Sequence, residues 1–204
     1  MTPRTKKQNE EIRLQRLEQI RKAAADVYLN KGPLLEIRDV ATQAKLGYGT
    51  VYHYYSNKGD LLYDLLSDAL ERLEKRSELK TATTTNSQSL NREIVVTADH
   101  SQVAVYSIWL LNLWAEDHAL YLLFKLAGEE FDSLPQARST SLMEAFRYEV
   151  LTPLASLMNS GVEPSDRLHH AEMLIAALVG CASLSIRRGR LHEEAKDIVI
   201  FLKL

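Results

Sequence analysis

Along nearly the whole chain apolar residues recur at steps of three and four, and no alternating run flanked by hairpin-turn residues interrupts them. Such a chain buries its stripes by packing helix on helix, so the expected fold is all-α. Leu14, Leu17, Ile20, Ala24, Val27 and Tyr28 form a first stripe, which Lys31-Gly32-Pro33 ends. Gly is tolerated just past a helix, and Pro cannot continue one. Ile37, Val40, Ala41 and Ala44 make a short amphipathic helix, Lys45-Leu46-Gly47 interrupts it, and Tyr48–Tyr55 follows as a second short element. Ser56 or Asn57 can cap the next helix. Its apolar face is Leu61, Leu62, Leu65, Leu66, Ala69, Leu70 and Leu73, with Asp64, Asp68, Glu71, Arg72 and Lys75 opposite. Thr81–Ser89, rich in hydroxyl and β-branched residues, reads as a flexible connector. Helical spacing resumes over 90–117, 118–130, 134–159, 164–188 and 191–204.

The 204 residues suffice for one or two domains. The single cysteine cannot form an internal disulfide, which suits a reducing compartment. The amino-terminal residues Met1–Lys7 are polar and are followed by no apolar segment, so no secretory signal is expected. The longest apolar stretches, 103–115 and 173–186, fall short of the ~20 residues that span a bilayer. A cytoplasmic protein is expected. Its net charge of −2 conceals an asymmetry: residues 1–58 carry 11 Lys/Arg against 6 Asp/Glu, and residues 59–204 carry 14 against 21. A basic end on an acidic body suggests that the amino-terminal part meets a polyanion.

Residues 37–62 make that suggestion specific. Two short helices joined by a tight turn bury a shared apolar face and leave the outer face of the second one free. Here Val51 and Tyr55, four apart, can face the core, which leaves Tyr48, Thr50, His53 and Tyr54 outward. Tyr, Thr and His hydroxyls and ring nitrogens suit phosphate contacts, and a Thr methyl can meet thymine in the major groove. Tyr52 can pack its ring while its hydroxyl reaches a phosphate. Gly47 and Gly49 lack bulk and permit close backbone approach to a duplex. Lys58 adds a charge at a helix amino terminus. Arg4, Lys6 and Lys7 form either a DNA-contacting arm or a solvated tail.

In Ile37-Arg38-Asp39-Val40-Ala41, Gly49-Thr50-Val51-Tyr52-His53-Tyr54-Tyr55 and Ser56-Asn57-Lys58-Gly59-Asp60-Leu61-Leu62 the chain resembles the TetR family of bacterial transcription repressors. The resemblance covers about residues 14–70, and its strongest element is the Thr-x-Tyr-x-Tyr-x-x-x-Lys spacing. It implies that Arg38, Tyr48, Thr50, Tyr52, His53, Tyr54 and Lys58 fall where relatives touch DNA. Against the family pattern, Leu35-Glu36 replaces the usual hydroxyl cap, Lys45 stands at a turn position usually held by Gly, Gly47 replaces a typical Ser, and Gly59 replaces an acidic residue. The implied organisation is a three-helix helix-turn-helix domain at 1–58 and a helical ligand-binding and dimerisation domain at 59–204.

The rest of the chain carries no comparable motif. Residues 164–188 are apolar nearly all round, so that helix is expected to be buried on two sides. With the last helix it is expected to form a four-helix interface between two copies, through Ala176, Gly180, Ile198 and Phe201. The alternative is packing within one chain. Paired readers about 34 Å apart would read a palindrome. Candidate pocket residues are the polar and aromatic side chains inside apolar runs: Tyr106, Trp109, Asn112, Leu113, Phe146, Val150, His170 and Met173. Each is equally readable as ordinary core, and Asn112 would need a buried partner. A mostly apolar effector would fit.

His169 and His170 are adjacent and lack metal-ligand spacing, so no metal site is expected. Neither a phosphate-binding Gly-rich loop nor a nucleophile elbow is present, and no catalytic residue or cofactor is expected. The expected function is thus a homodimeric repressor that binds a palindromic operator and releases it on binding the effector. The rival reading is an all-α small-molecule-binding protein or enzyme with a vestigial helix-turn-helix.

Overall fold

The structure is a computed structural model that describes residues 6–86, 102–158 and 164–204. Its described elements are helical, and no strand occurs among the described residues. α1 (Lys6–Lys31) buries Ile20, Ala24, Val27 and Tyr28, while Leu14, the first member of its stripe, stays exposed. Lys6 and Lys7 belong to this helix, which corrects the reading of both as an arm or a disordered tail. Arg4 lies outside the described residues. At Gly32 the backbone turns left-handed (φ 59°), a conformation Gly adopts freely, and a short 3-10 turn over Gly32–Leu34 carries Pro33.

α2 (Ile37–Gln43) packs against α1 and α3 (Tyr48–Tyr54) against α2, and α4 (Lys58–Asn86) leaves them for the body of the protein. Asn57 is the cap: its Oδ1 accepts the Asp60 N–H at 2.9 Å. The leucine face from Leu61 to Leu73 is buried as its spacing predicts. The connector reading of 81–89 is corrected where it can be described, because α4 continues through residues 81–86. Extending an existing helix needs no new nucleus, so a long preceding helix carries even a Thr-rich turn along. Residues 87–89 lie outside the described residues.

α5 (Gln102–Glu116) and α6 (His118–Ala127) meet at Asp117, whose Oδ1 caps α6 by accepting the Ala119 N–H at 3.1 Å. The stretch expected as one helix over 134–159 is α7 (Gln136–Phe146), a π-turn over Arg147–Leu151, and α8 (Thr152–Leu157). Pro153 lacks the N–H that would return to the Glu149 carbonyl. The coil widens instead, and the Thr152 hydroxyl donates to the Arg147 carbonyl at 3.0 Å. α9 (Pro164–Arg187) ends at a left-handed Gly189 (φ 67°), and α10 (Leu191–Phe201) folds back on it. By length and composition Asp166–Arg187 could cross a bilayer, more than its apolar stretch alone predicts. In the fold Ala171, Leu174, Leu178, Ala182 and Ile186 are buried against the rest of the chain, as in a core helix.

Candidate nucleic-acid interface and ligand cavity

Both ends of α2 are held by neighbours of α1. At its start the Asp39 carboxylate accepts the Glu36 N–H at 3.2 Å and pairs with Lys31 Nζ at 2.6 Å. The Lys31 hydrogen bond, above all, holds the Asp39 carboxyl below the usual carboxylate range. Asp39 is thus the N3 half of a capping box, and the Glu36 side chain, which accepts the Asp39 N–H, does the work of the absent hydroxyl cap. At its end the Ala44 carbonyl accepts Gln19 Nε2 at 2.6 Å. Lys45 is left-handed (φ 53°), with Leu46 N–H returning to the Ala41 carbonyl at 2.9 Å and Lys45 N–H to Thr42 at 3.1 Å. This is a Schellman turn with Lys where Gly is unstrained.

The turn aims α3. Val51 is 0% and Tyr55 6% exposed, whereas Tyr48 is 55% and Tyr52 48% exposed. Val51 and Tyr55 therefore face the core, as their spacing predicts. Tyr48 and Tyr52 stack their rings at 5.6 Å between centroids on the outer side. His53 is exposed with its ring edge-on to Tyr54 at 5.7 Å; Thr50 and Tyr54 are half-buried, and Tyr54 packs against the core. Arg38 is exposed and pairs with Glu36 at 2.6 Å. Lys58 Nζ donates to the Pro33 carbonyl at 2.8 Å, which ties the first turn of α4 to the end of α1. Gly49 has open space where a Cβ would stand. The outer face of α3 thus combines stacked phenols, an imidazole, a hydroxyl and bare backbone.

The pocket candidates separate in space. Tyr106 and Trp109 stack at 5.3 Å on α5, and burial pushes the Tyr106 hydroxyl up to about 12. Asn112 Oδ1, expected to have a buried partner, finds none among the described residues. Leu113, Phe146 and Val150 are core residues, while His170 and Met173 are exposed on α9. A cavity of about 910 Å³ lies between α6, α7 and α9, and Phe146 and Met173 stand in its wall. A second of about 650 Å³ is walled by His170 and Met173 together with the chain end Leu202–Leu204. Tyr106, Trp109, Asn112, Leu113 and Val150 line neither.

Apart from Phe146 and Met173, the lining of the larger cavity comes from residues the spacing did not single out for a pocket. Tyr121 and Phe124 of α6, Met143 of α7 and Val179 of α9 give it an apolar lining, and Lys125, Arg147, Glu172 and Arg187 stand around it. Burial raises the Tyr121 hydroxyl above its ordinary value. The signal available was α6 itself, apolar at every position but His118 and Lys125.

Of the interface candidates, Ala176, Gly180 and Phe201 are exposed, with Met173, Leu184 and Ile200 beside them in the sequence pattern of α9 and α10. Ile198 is 8% exposed and belongs to the core, which corrects its place at an outer surface: α10 turns Ala195, Ile198 and Val199 inward. Cys181 is half-buried and free. Among the described residues no group of three His, Cys, Asp or Glu is placed to hold a metal ion.

The structure thus presents a helix-turn-helix pair, seated on α1 through α2 and joined by one long helix to a helical, cavity-bearing body. Residues 20–65 match the family model for bacterial regulatory proteins of the tetR family, the family that the motifs in this segment resemble. No curated protein matches the chain in sequence. Solved structures share its fold. The transcriptional regulator FadR from Bacillus subtilis, in complex with stearoyl-CoA, is 16% identical over 91% of this chain and 96% of that one, with a TM-score of 0.55. The fatty acid degradation regulator FadR from Bacillus halodurans is 18% identical over 91% and 96%, with a TM-score of 0.54. A structure described as a TetR-family transcriptional regulator from Syntrophomonas wolfei is 18% identical over 94% of each chain, with a TM-score of 0.56.

Proposed function

We propose that the chain is a homodimeric cytoplasmic repressor that binds a palindromic operator through α3 and lets it go when a small, mostly apolar effector enters the body. It acts by binding and not by catalysis, with the reader in residues 1–58 and the response in residues 59–204. The observation that carries this reading is the sidedness of α3: Val51 and Tyr55 anchor it inside while Tyr48, Tyr52 and His53 face out.

Two further observations support the dimer and the effector. Met173 and Leu184 on α9 are 56% and 55% exposed, and Ile200 and Phe201 on α10 are 72% and 77% exposed. Side chains of this size in water favour a covering partner, and Ala176 and Gly180 between them let a second α9 come close. A two-fold pair would set its readers about 34 Å apart, one turn of the duplex. The cavity between α6, α7 and α9 has the size of a small-molecule site and a largely apolar lining. A protein of the same fold is known in complex with stearoyl-CoA, so the fold has room for a ligand with a long apolar part.

Selection of duplexes from a random pool tests the reading, with light scattering to give the mass of the free protein. Enrichment of an inverted repeat by a particle of twice the chain mass is the expected result. A monomer, or a pool that stays random, would overturn it.

A further inference from the structure

Helix α7 is a short bar bounded by a proline at one end and a π-turn at the other. Pro135 precedes it, and at its far end the π-turn opens the hydrogen-bond ladder. Near that far end Met143 and Phe146 stand in the wall of the larger cavity. Near the other end Arg138 pairs with Asp60 in the first turn of α4, and its guanidinium lies 5.1 Å over the Tyr63 ring. Eight residues of helix separate Arg138 from Phe146, about 12 Å along the axis.

Asp60 is also part of the junction with the reader. Its Oδ2 accepts Asn57 Nδ2 at 2.7 Å, and Asn57 Oδ1 accepts the Asp60 N–H at 2.9 Å. Asn57 follows α3 after only Tyr55 and Ser56. Pro135 Cδ would lie 3.7 Å from a Cβ at Gly59, so the start of α7 closely overlies the start of α4. An acidic residue at Gly59, which the family pattern favours, would stand against Pro135.

We infer that Arg138 is the positioning residue through which occupancy of the cavity reaches the reader. A body between α7 and α9 presses on Met143 and Phe146, and α7 moves as a unit because it is one unbroken helix from Gln136 to Phe146. The Arg138–Asp60 pair carries that movement to the first turn of α4 and so to the exit of α3. The inference rests on the ligand-responsive reading above and adds to it the part that transmits the response.

The test is a double-mutant cycle with a built-in occupant. Met143→Trp adds bulk inside the cavity from α7, and Val179→Trp adds it from the facing wall if the first variant does not fold. Arg138→Met keeps the stem and removes the charge. Two quantities are read: affinity for a duplex selected from a random pool, and amide hydrogen exchange over Asn57–Leu62 without DNA. With Arg138 present, the Trp variant is expected to weaken duplex binding about tenfold and to speed exchange; in the Arg138→Met background both effects should shrink to within about twofold. Equal losses in both backgrounds, or no effect of Trp with Arg138 present, would overturn the inference. If the wild-type chain enriches no duplex, the repressor reading fails and the exchange comparison alone decides the coupling.

Discussion

The hydroxyl of Tyr55, just past the carboxy-terminal end of the reader helix, donates to the carboxylate of Asp64 in α4. Arg21 of α1 reaches the same carboxylate at 3.4 Å and Asp68 at 2.9 Å. Arg72 joins Asp68 to Asp117, the latter at 2.9 Å, and Asp117 caps α6. A continuous set of polar contacts therefore runs from the reader to the body along α4, through side chains interleaved in sequence with its leucine face.

Tyr55→Phe keeps the buried ring and removes the donor. Burial first, and Asp64 second, push the Tyr55 hydroxyl well above its ordinary value, so it remains a donor throughout the neutral and alkaline range. The substitution should destabilise the chain by about 1–2 kcal/mol. For a chain of this size that is a fall in Tm of about 2–8 °C, read by calorimetry. An unchanged Tm would mean that the bond contributes nothing net.

Gly49→Ala separates folding from DNA contact. A Cβ there meets open space, and Ala is the better helix former, so stability should rise by about 0.5–1 kcal/mol. Duplex affinity should fall if the backbone at Gly49 lies against a phosphate. Thermal melts and fluorescence anisotropy on one preparation give both numbers, and an affinity that follows the stability upward would exclude close approach.

Lys45→Gly relieves a left-handed lysine (φ 53°). The folded state loses about 1 kcal/mol of strain, partly offset by the greater freedom of Gly in the unfolded chain. A net gain of a few tenths of a kcal/mol, about 1–2 °C in Tm, is expected. The two hydrogen bonds of the Schellman turn are backbone bonds and should survive.

Asp26 ties α1 to α6 through His118 Nδ1 at 2.7 Å. The His118 hydrogen bond, partly opposed by burial, holds the Asp26 carboxyl below its ordinary value. A carboxyl depressed on folding contributes above the unfolded value of about 3.9, and its contribution disappears as the pH falls through the folded value. The Tm gap between wild type and Asp26→Asn should therefore persist at pH 5–6, corresponding to about 0.5–1 kcal/mol, and close as the pH is taken below about 4. A gap that widened in acid would reverse the sign of the tie.

Lys58 and Tyr48 should differ in kind. Lys58→Ala should weaken every duplex alike and lower the salt slope by about 1, because a phosphate contact carries no sequence information. Tyr48→Ala should instead change which sequences are enriched. A salt slope unmoved by Lys58→Ala would confine that ammonium to its bond with Pro33.

Local spacing was enough for most of the helices and for the inward turn of Val51 and Tyr55, because each depends on residues within one or two turns; the strained place of Lys45 came from the family resemblance. It failed at residues 81–86, where the propensity of six residues yields to the helix already running into them, and at Ile198, where either side of α10 is apolar enough to face the core. Nor did periodicity reveal that Arg138 meets Asp60, 78 residues away, or that Phe146 and Met173 share a cavity that Tyr106 and Trp109 do not line. The amino-acid order by itself determined an all-helical chain with a sided reader, since periodicity is a short-range property of the backbone. Only the packing of helices distant in sequence decided where the cavity opens, which carboxylates meet which guanidinium groups, and which apolar faces remain uncovered.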